Sequence, residues 1–478
     1  MPPRSKQSSD DHPFPMGCWF VPLLFVLMMI ASSVWQSKTS VYRDTFLSQY
    51  DAFYYHNLRA NLVQGNGYEL DFSEANIGAS LESLPAFQGS RLNWIYSMDV
   101  DGPTTNHFPA VPILMEAGHL LTSGPWSGMV SFGTLLLALA LALLVNQIRR
   151  MFGFLPATIA AVTIFADVFL QQSPTLVTCD AWITALVIMS FVVFLQAVSP
   201  TQTPTHTSLA TPPRSQLPRS IWKWPMAGLL LGVSMLFRPS TSLWLAILLP
   251  CFVGFVVVML VRKKLPARIG ESFLLFSIGL LIVISPWWIR NCKVAGDFKP
   301  LGNEMQQKII GAYVFGGPTQ GNLNVESIIL SKEKLLMEQT EWTDPIDKET
   351  FVATTHQEQT QDWIKANPNA ATGLMLNRVM NHFGITSQDP KYLERINLVL
   401  AIGALLGCVL TWRRFGFVVI SLIAASTLVT ALTWSDYGRF SLPIRPLLHA
   451  AFALGLTQWI PRKQRRKNQS AETGEEPL

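Results

Sequence analysis

The sequence predicts an all-α protein that crosses a membrane many times, and three observations predict it. Only 14% of the 478 residues are charged while 49% are hydrophobic, against about a quarter charged in an ordinary soluble domain. The apolar residues gather in runs long enough for helices to cross the ~30 Å hydrocarbon core of a bilayer. Basic residues sit in short clusters between those runs: Arg149-Arg150, Arg262-Lys263-Lys264, Arg413-Arg414 and Arg462-Lys463 with Arg465-Arg466-Lys467. Loops on the cytoplasmic side carry such clusters. The net charge of +5 is therefore information about topology and gives no reason to expect a nucleic-acid partner.

The elements follow in order. Spans are predicted at 17–35, 126–147, 154–169, 176–198, 225–236, 243–261, 272–289, 396–412, 416–434 and 443–460. The first has no small-residue cleavage pattern after it and reads as a retained span rather than a removed signal peptide. The fifth is short and extends through Ile221, Trp222, Lys223 and Trp224 at the membrane interface. With the amino terminus inside, every basic cluster falls on the cytoplasmic side, as do the Thr/Pro-rich linker 199–218 and the tail 461–478. The run 107–121 carries Glu116 and His119. It is too short to cross, and its crossing would move Arg149-Arg150 outside, so it reads as an interfacial or re-entrant helix.

This register divides the chain into a membrane module at 1–290 with a first exterior loop at 36–125, a small exterior domain at 291–394, carboxy-terminal spans at 395–460 and a cytoplasmic tail at 461–478. The exterior domain ends in a predicted helix near 367–384, with Asn367 as N-cap and Pro368 at its first position. Leu376, Val379, Met380 and Phe383 share one face and Asn377, Arg378 and Asn381 the other, so the helix is expected to lie on the membrane surface. The five cysteines are scattered without disulfide or metal-type spacing.

Charged residues beside apolar spans are the candidates for chemistry. Asp51 opens an aromatic stretch with Tyr54 and Tyr55 that closes at Gly65 and Gly67. Such an acid is either an N-cap or a carboxylate held just outside the bilayer as a general base. Asp180 sits at the outer end of the fourth span, where a charge is costly unless it faces a partner or a cavity. Asp99 and Asp101 form an Asp-x-Asp pattern that a divalent metal could use, although Asp101-Gly102-Pro103 is also ordinary turn chemistry. Arg238, Arg290 and Arg439 all fall at the outer boundary. Each can snorkel, but three cations at one depth are what an anionic lipid phosphate would require.

In this order the chain resembles the GT-C membrane glycosyltransferases. The likeness is to the bacterial branch similar to dolichyl-phosphate-mannose–protein mannosyltransferases and the lipid A aminoarabinose transferases. The resemblance is carried by Asp51 with Tyr54, Tyr55, Asn61, Gly65 and Gly67; by the proline-led run from His107 to Leu114; by Ser285 to Asn291 with Gly296 to Leu301; and by Arg439 to Pro446. It implies a GT-C-like bundle of about ten helices. It also implies transfer of a sugar from a polyprenyl-phosphate donor to a lipid, glycan or protein acceptor on the exterior face of the inner membrane, with inversion. Asp51 would be the base and Asp180 a second acid, with Arg290, Arg439, Arg238 and His107 toward the donor phosphate. The chain departs from the family at Asn106-His107-Phe108-Pro109, where relatives often carry an acid or histidine, a lysine, or paired prolines. No cofactor is required in principle; a divalent metal at Asp99 and Asp101 is the alternative. A lipid-linked sugar transporter would place polar residues and broken helices near the bilayer midplane, whereas the acids here lie at the outer edge. A non-catalytic scaffold using 291–394 would give no reason for Asp51 and the arginines to coexist.

Overall fold

The computed structural model describes residues 16–37, 50–73, 100–105, 107–122, 125–176, 179–198, 221–261, 269–303, 342–385, 391–432 and 439–459. Helix α1 (Met16–Gln36) leaves Trp19, Leu23, Ile30 and Val34 bare on one face, an arrangement suited to lipid and not to water. Helix α2 (Tyr50–Gln64) stops where Gly65 adopts a left-handed φ of 81°. Strand β1 (Glu69–Leu70) pairs antiparallel with β2 (Gly102–Pro103), Leu70 opposite Gly102. Then come α3 (Ala110–Leu121), α4 (Pro125–Phe152), α5 (Phe154–Ala166), the short α6 (Val168–Gln172) and α7 (Asp180–Val198). They are followed by α8 (Lys223–Met235), α9 (Pro239–Val261) and α10 (Ile269–Ala295). The rest is α11 (Pro345–Ala366), α12 (Pro368–His382), α13 (Lys391–Leu410), α14 (Phe417–Leu432) and α15 (Arg445–Trp459).

Each expected span coincides with one of these helices, the third with the pair α5–α6, which bends by 61°. By length and hydropathy, five helices among the described residues (α1, α4, α7, α10 and α13) can each cross a membrane, and the bent pair makes six. The core runs through α4, α5, α7 and α15 and is rich in small side chains such as Ala140, Ala157, Ala160, Ala185 and Ala451. Small residues let helices approach closely where lipid removes the usual hydrophobic drive. One very close approach joins α8 to α10. A methyl group at Gly228 would stand 2.0 Å from the Phe276 carbonyl oxygen, and one at Gly279 would meet that of Pro225 at the same distance.

The elements α2, β1–β2, α3, α11 and α12 gather at one end of the bundle, the capped end. Asn57 and Asn61, one turn apart on α2, donate to the carbonyls of Asp71 and Glu69 at 2.5 and 2.7 Å, so α2 carries the β1–β2 ribbon on its flank. Segment 104–105 is clamped to α11. Glu349 is buried and accepts from the hydroxyl groups of Thr104 and Thr105 at 2.6 and 2.7 Å and from the Thr105 amide at 3.2 Å.

The structure differs from the sequence reading at four places. Helix α7 starts at Asp180, four residues later than predicted, because Pro174 and a left-handed Cys179 (φ 58°) hold the chain in turns before it. Asp51 lies one residue inside α2, in its first turn, and not at the N-cap. In α12 Pro368 does occupy the first turn, but Asn367 makes no side-chain capping bond. Arg378 is not on an open polar face: it is buried with His382 and donates to the Ala431 carbonyl at 3.3 Å, while Leu376 and Met380 are exposed.

Because Gly228 has no room for a Cβ, Gly228→Val should destabilise the protein by about 3 kcal/mol or more. Gly270→Val, at an open position, should change the unfolding midpoint in detergent little. Equal midpoints for the two variants would refute the packing described.

Candidate functional site

The site is built around Asp180. Helix α5 breaks at Asp167, whose carboxylate accepts from the Leu170 amide at 3.1 Å and caps α6. The ledge formed by α6 and the tight turn after it is buried and delivers Asp180 to the start of α7 with no exposed surface. Two arginines from distant parts of the chain close on it. Arg238, between α8 and α9, reaches Oδ1 at 2.7 Å, and Arg439, in the turn before α15, reaches Oδ2 at 2.8 Å. Both guanidinium groups lie over the ring of Phe440, at 4.7 and 5.9 Å. Leaving one carboxylate with two cations gives the cluster an excess of one positive charge among the described residues, in a nearly dry place. Such a cluster is costly to bury unless its charges are matched.

Helix α2 lies beside this cluster. Tyr55 is within electrostatic reach of Arg238, and the rings of Tyr54 and Tyr55 pack on His107 at 4.7 and 5.6 Å. The next residues enter α3, whose Ala110 amide donates to the Leu236 carbonyl at 3.2 Å, two residues before Arg238. Arg59 of α2 pairs with Glu116 of α3 at 2.8 Å. Burial, with Arg59 and His119 nearby, pushes the His56 imidazole down to about 4. The backbone of Asp51 is in the first turn of α2; its side chain lies outside the described residues.

Arg290 stands apart from the Asp180 cluster in its contacts. Its guanidinium donates to the carbonyls of Thr104 at 2.5 Å and Tyr68 at 3.0 Å and stacks over Trp287 at 4.9 Å. Asp101 is exposed and accepts from the Phe72 amide at 2.6 Å. Asp99 lies outside the described residues, and those residues gather no group of three metal-ligating side chains.

Sequence reasoning missed a second buried set. Asp167 pairs with Arg445 and, at 2.6 Å, with His449. Arg445 also donates to Asn397 at 2.6 Å. The available signal was Asp167 inside an apolar run, with Arg445 and His449 inside another; charges in spans imply partners. His382 was missed too. Its ring meets the Thr430 and Ser426 hydroxyl groups at 3.0 and 3.5 Å, and burial, with Arg445 nearby, pushes it down to about 3.

No family model matches this chain, and no curated protein does. Solved structures do. The archaeal oligosaccharyltransferase AglB of Archaeoglobus fulgidus, in complex with an inhibitory peptide and a dolichol-phosphate, is 12% identical with a TM-score of 0.51; the match covers 96% of this chain and 53% of that one. The same enzyme with zinc and sulfate gives 12% identity and a TM-score of 0.49 over 94% and 51% of the two chains. ArnT of Cupriavidus metallidurans bound to undecaprenyl phosphate is 12% identical, with a TM-score of 0.39 over 92% of this chain and 78% of that one. The chain spans about half the length of the oligosaccharyltransferase, and the likeness to it is one of fold alone.

Asp180→Asn should leave two buried guanidinium groups facing each other and cost about 3–5 kcal/mol in unfolding measurements; an unchanged midpoint would show that the pairing is not made. Acid should also weaken the fold. His382 and His56 bind protons less readily when folded (about 3 and about 4) than at their ordinary 6.5. Stability present above pH 6.5 is therefore lost as pH falls toward 3. His382→Gln should flatten that decline, read as unfolding midpoint against pH.

Proposed function

We propose that this protein is a membrane glycosyltransferase that moves a sugar from a polyprenyl-phosphate donor to a lipid, glycan or protein acceptor, with the capped end facing the exterior. The observation that carries the reading is the Asp180 cluster. Two arginines share one buried carboxylate at 2.7 and 2.8 Å, at the end of the bundle where helices α2 and α3 lie against it. Guanidinium groups suit the oxygens of a lipid phosphate, and two of them converge here. The shared fold with a dolichol-phosphate complex supports the same class of donor.

In this reaction the acceptor hydroxyl loses its proton to the Asp51 carboxylate as its oxygen bonds to the anomeric carbon. The bond from that carbon to the phosphate oxygen breaks, and the polyprenyl phosphate leaves with the electron pair. One displacement inverts the anomeric centre. Charge grows on the departing phosphate, so Arg238 and Arg439 act where the transition state needs them. Asp180 holds both arginines in place and keeps their charge from excluding each other. Arg290, through the Thr104 and Tyr68 carbonyls, holds the ribbon that frames the donor, and His107 with Tyr54 joins that ribbon to α2. The donor already carries its leaving charge, so the step needs no metal; Asp99 and Asp101 remain the place for one in a metal-assisted variant.

Two substitutions separate the roles. Arg439→Gln should weaken binding of undecaprenyl phosphate by about 10- to 150-fold, the loss of one charge-assisted contact worth about 1.5–3 kcal/mol. Asp51→Asn should bind that lipid normally and transfer sugar about 10²–10⁴-fold more slowly in a radiolabelled assay with purified protein in lipid. Near-normal transfer by Asp51→Asn would remove it as the base, and undiminished binding by Arg439→Gln would sink the phosphate assignment.

A further inference from the structure

The proposed transfer step leaves one buried charge cluster unused. Asp167, at the break between α5 and α6, receives Arg445 Nε and His449 Nε2 on the same carboxylate oxygen, Oδ2. The other oxygen caps α6 through the Leu170 amide. Arg445 donates a second bond to Asn397 Oδ1 at 2.6 Å, and Asn397 in turn donates to the Gly384 carbonyl at 2.9 Å. The Arg445 guanidinium also lies 4.9 Å over the Phe169 ring. Here one carboxylate oxygen is shared by one guanidinium and one imidazole.

The two clusters share both of their chain segments. Arg439 and Arg445 end one buried stretch of consecutive tight turns, closed by Leu442 N to Arg439 O at 3.1 Å, Ile444 N to Ser441 O at 2.9 Å and Arg445 N to Leu442 O at 3.3 Å. Asp167 and Asp180 flank the other, in which residues 169–174 are buried. The pairings run in opposite order, Asp180 with Arg439 and Asp167 with Arg445. Two short segments joined at both ends cannot slide past each other, so the second pair sets where the first is made.

We infer that Asp167, Arg445 and His449 are positioning residues: they fix the segment that presents Arg439 to Asp180 and so shape the anion site from one side. The ligand half of this inference rests on the donor reading above; the placement of Arg439 does not. None of the three touches the donor. Their influence passes through Arg439, and a site displaced by a fraction of an ångström loses much of a geometry-dependent contact.

The test uses the full-length protein in lipid nanodiscs, with undecaprenyl phosphate as probe. Asp167→Asn keeps a good N-cap but strands Arg445 as a buried cation. The companion Asp167→Asn/Arg445→Gln therefore removes both charges together, the change a buried pair tolerates best. That companion should fold with wild-type helicity and bind the probe about tenfold more weakly. Adding Arg439→Gln should bring little further loss beyond that of Arg439→Gln alone, and the combined shift in unfolding midpoint should be smaller than the sum of the separate shifts. Wild-type affinity in the companion, or losses that multiply with Arg439→Gln, would overturn the inference and leave a purely structural pair, which lowers the midpoint without moving affinity. Failure of the wild-type protein to bind the probe would count against the donor reading. The midpoints would then decide the placement of Arg439: less than additive supports it, additive overturns it.

Discussion

A carboxylate cannot be taken out of water without a partner, and Asp180 has no exposed surface at all. That constraint organises the capped end. Arg238 and Arg439 come from distant parts of the chain to meet it, so the link between α8 and α9 and the turn before α15 must both arrive at the start of α7. Helix α3 is seated by the carbonyl two residues before Arg238, and α2 is seated by α3. Loss of the central charge would leave two cations repelling each other in a medium that screens them poorly.

The rest of the bundle is held by a different physics. Away from the capped end the helices meet through alanines and glycines, with Gly228 and Gly279 allowing α8 and α10 almost into backbone contact. Dispersion and shape then supply what water cannot. Polar contacts between segments gather where the helices end. Asn57 and Asn61 hold the ribbon, Arg290 and Glu349 grip Thr104 and Thr105 from two sides, and Asp167 holds α6, Arg445 and His449. Burial also pushes the Glu349 carboxyl above its ordinary range, which the hydroxyl and amide donors offset only in part.

This division fits the proposed chemistry. A donor with a long apolar tail and a phosphate head needs a greasy wall and a cationic end in one place, and a hydroxyl acceptor needs a polar approach. The capped end joins the two: bare apolar faces such as those of α1 and α12 lie outward, while the arginines are turned inward. Polar contacts also link the end of α12 to α13 and α15 through Gly384, Asn397 and Arg445.

The sequence by itself determined the fold class and the order of the apolar helices, though not α11, because apolar runs of membrane length and the basic clusters between them are local properties of the chain. It also marked Asp180, Arg238 and Arg439, since a charge beside an apolar run stands out wherever it goes. It could not show that these three meet, nor that Arg290 is turned onto backbone carbonyls, because the partners lie tens to hundreds of residues apart. Asp167, Arg445 and His449 were legible as charges inside spans, but their pairing was not. Arg378 shows the limit most plainly. Helical periodicity placed it correctly opposite Leu376 and Met380, but which of the two faces turns inward depends on what α14 offers and on lipid taking the other face. Only the tertiary structure decides that, because burial of a polar side chain is set by its partner and not by its neighbours in sequence.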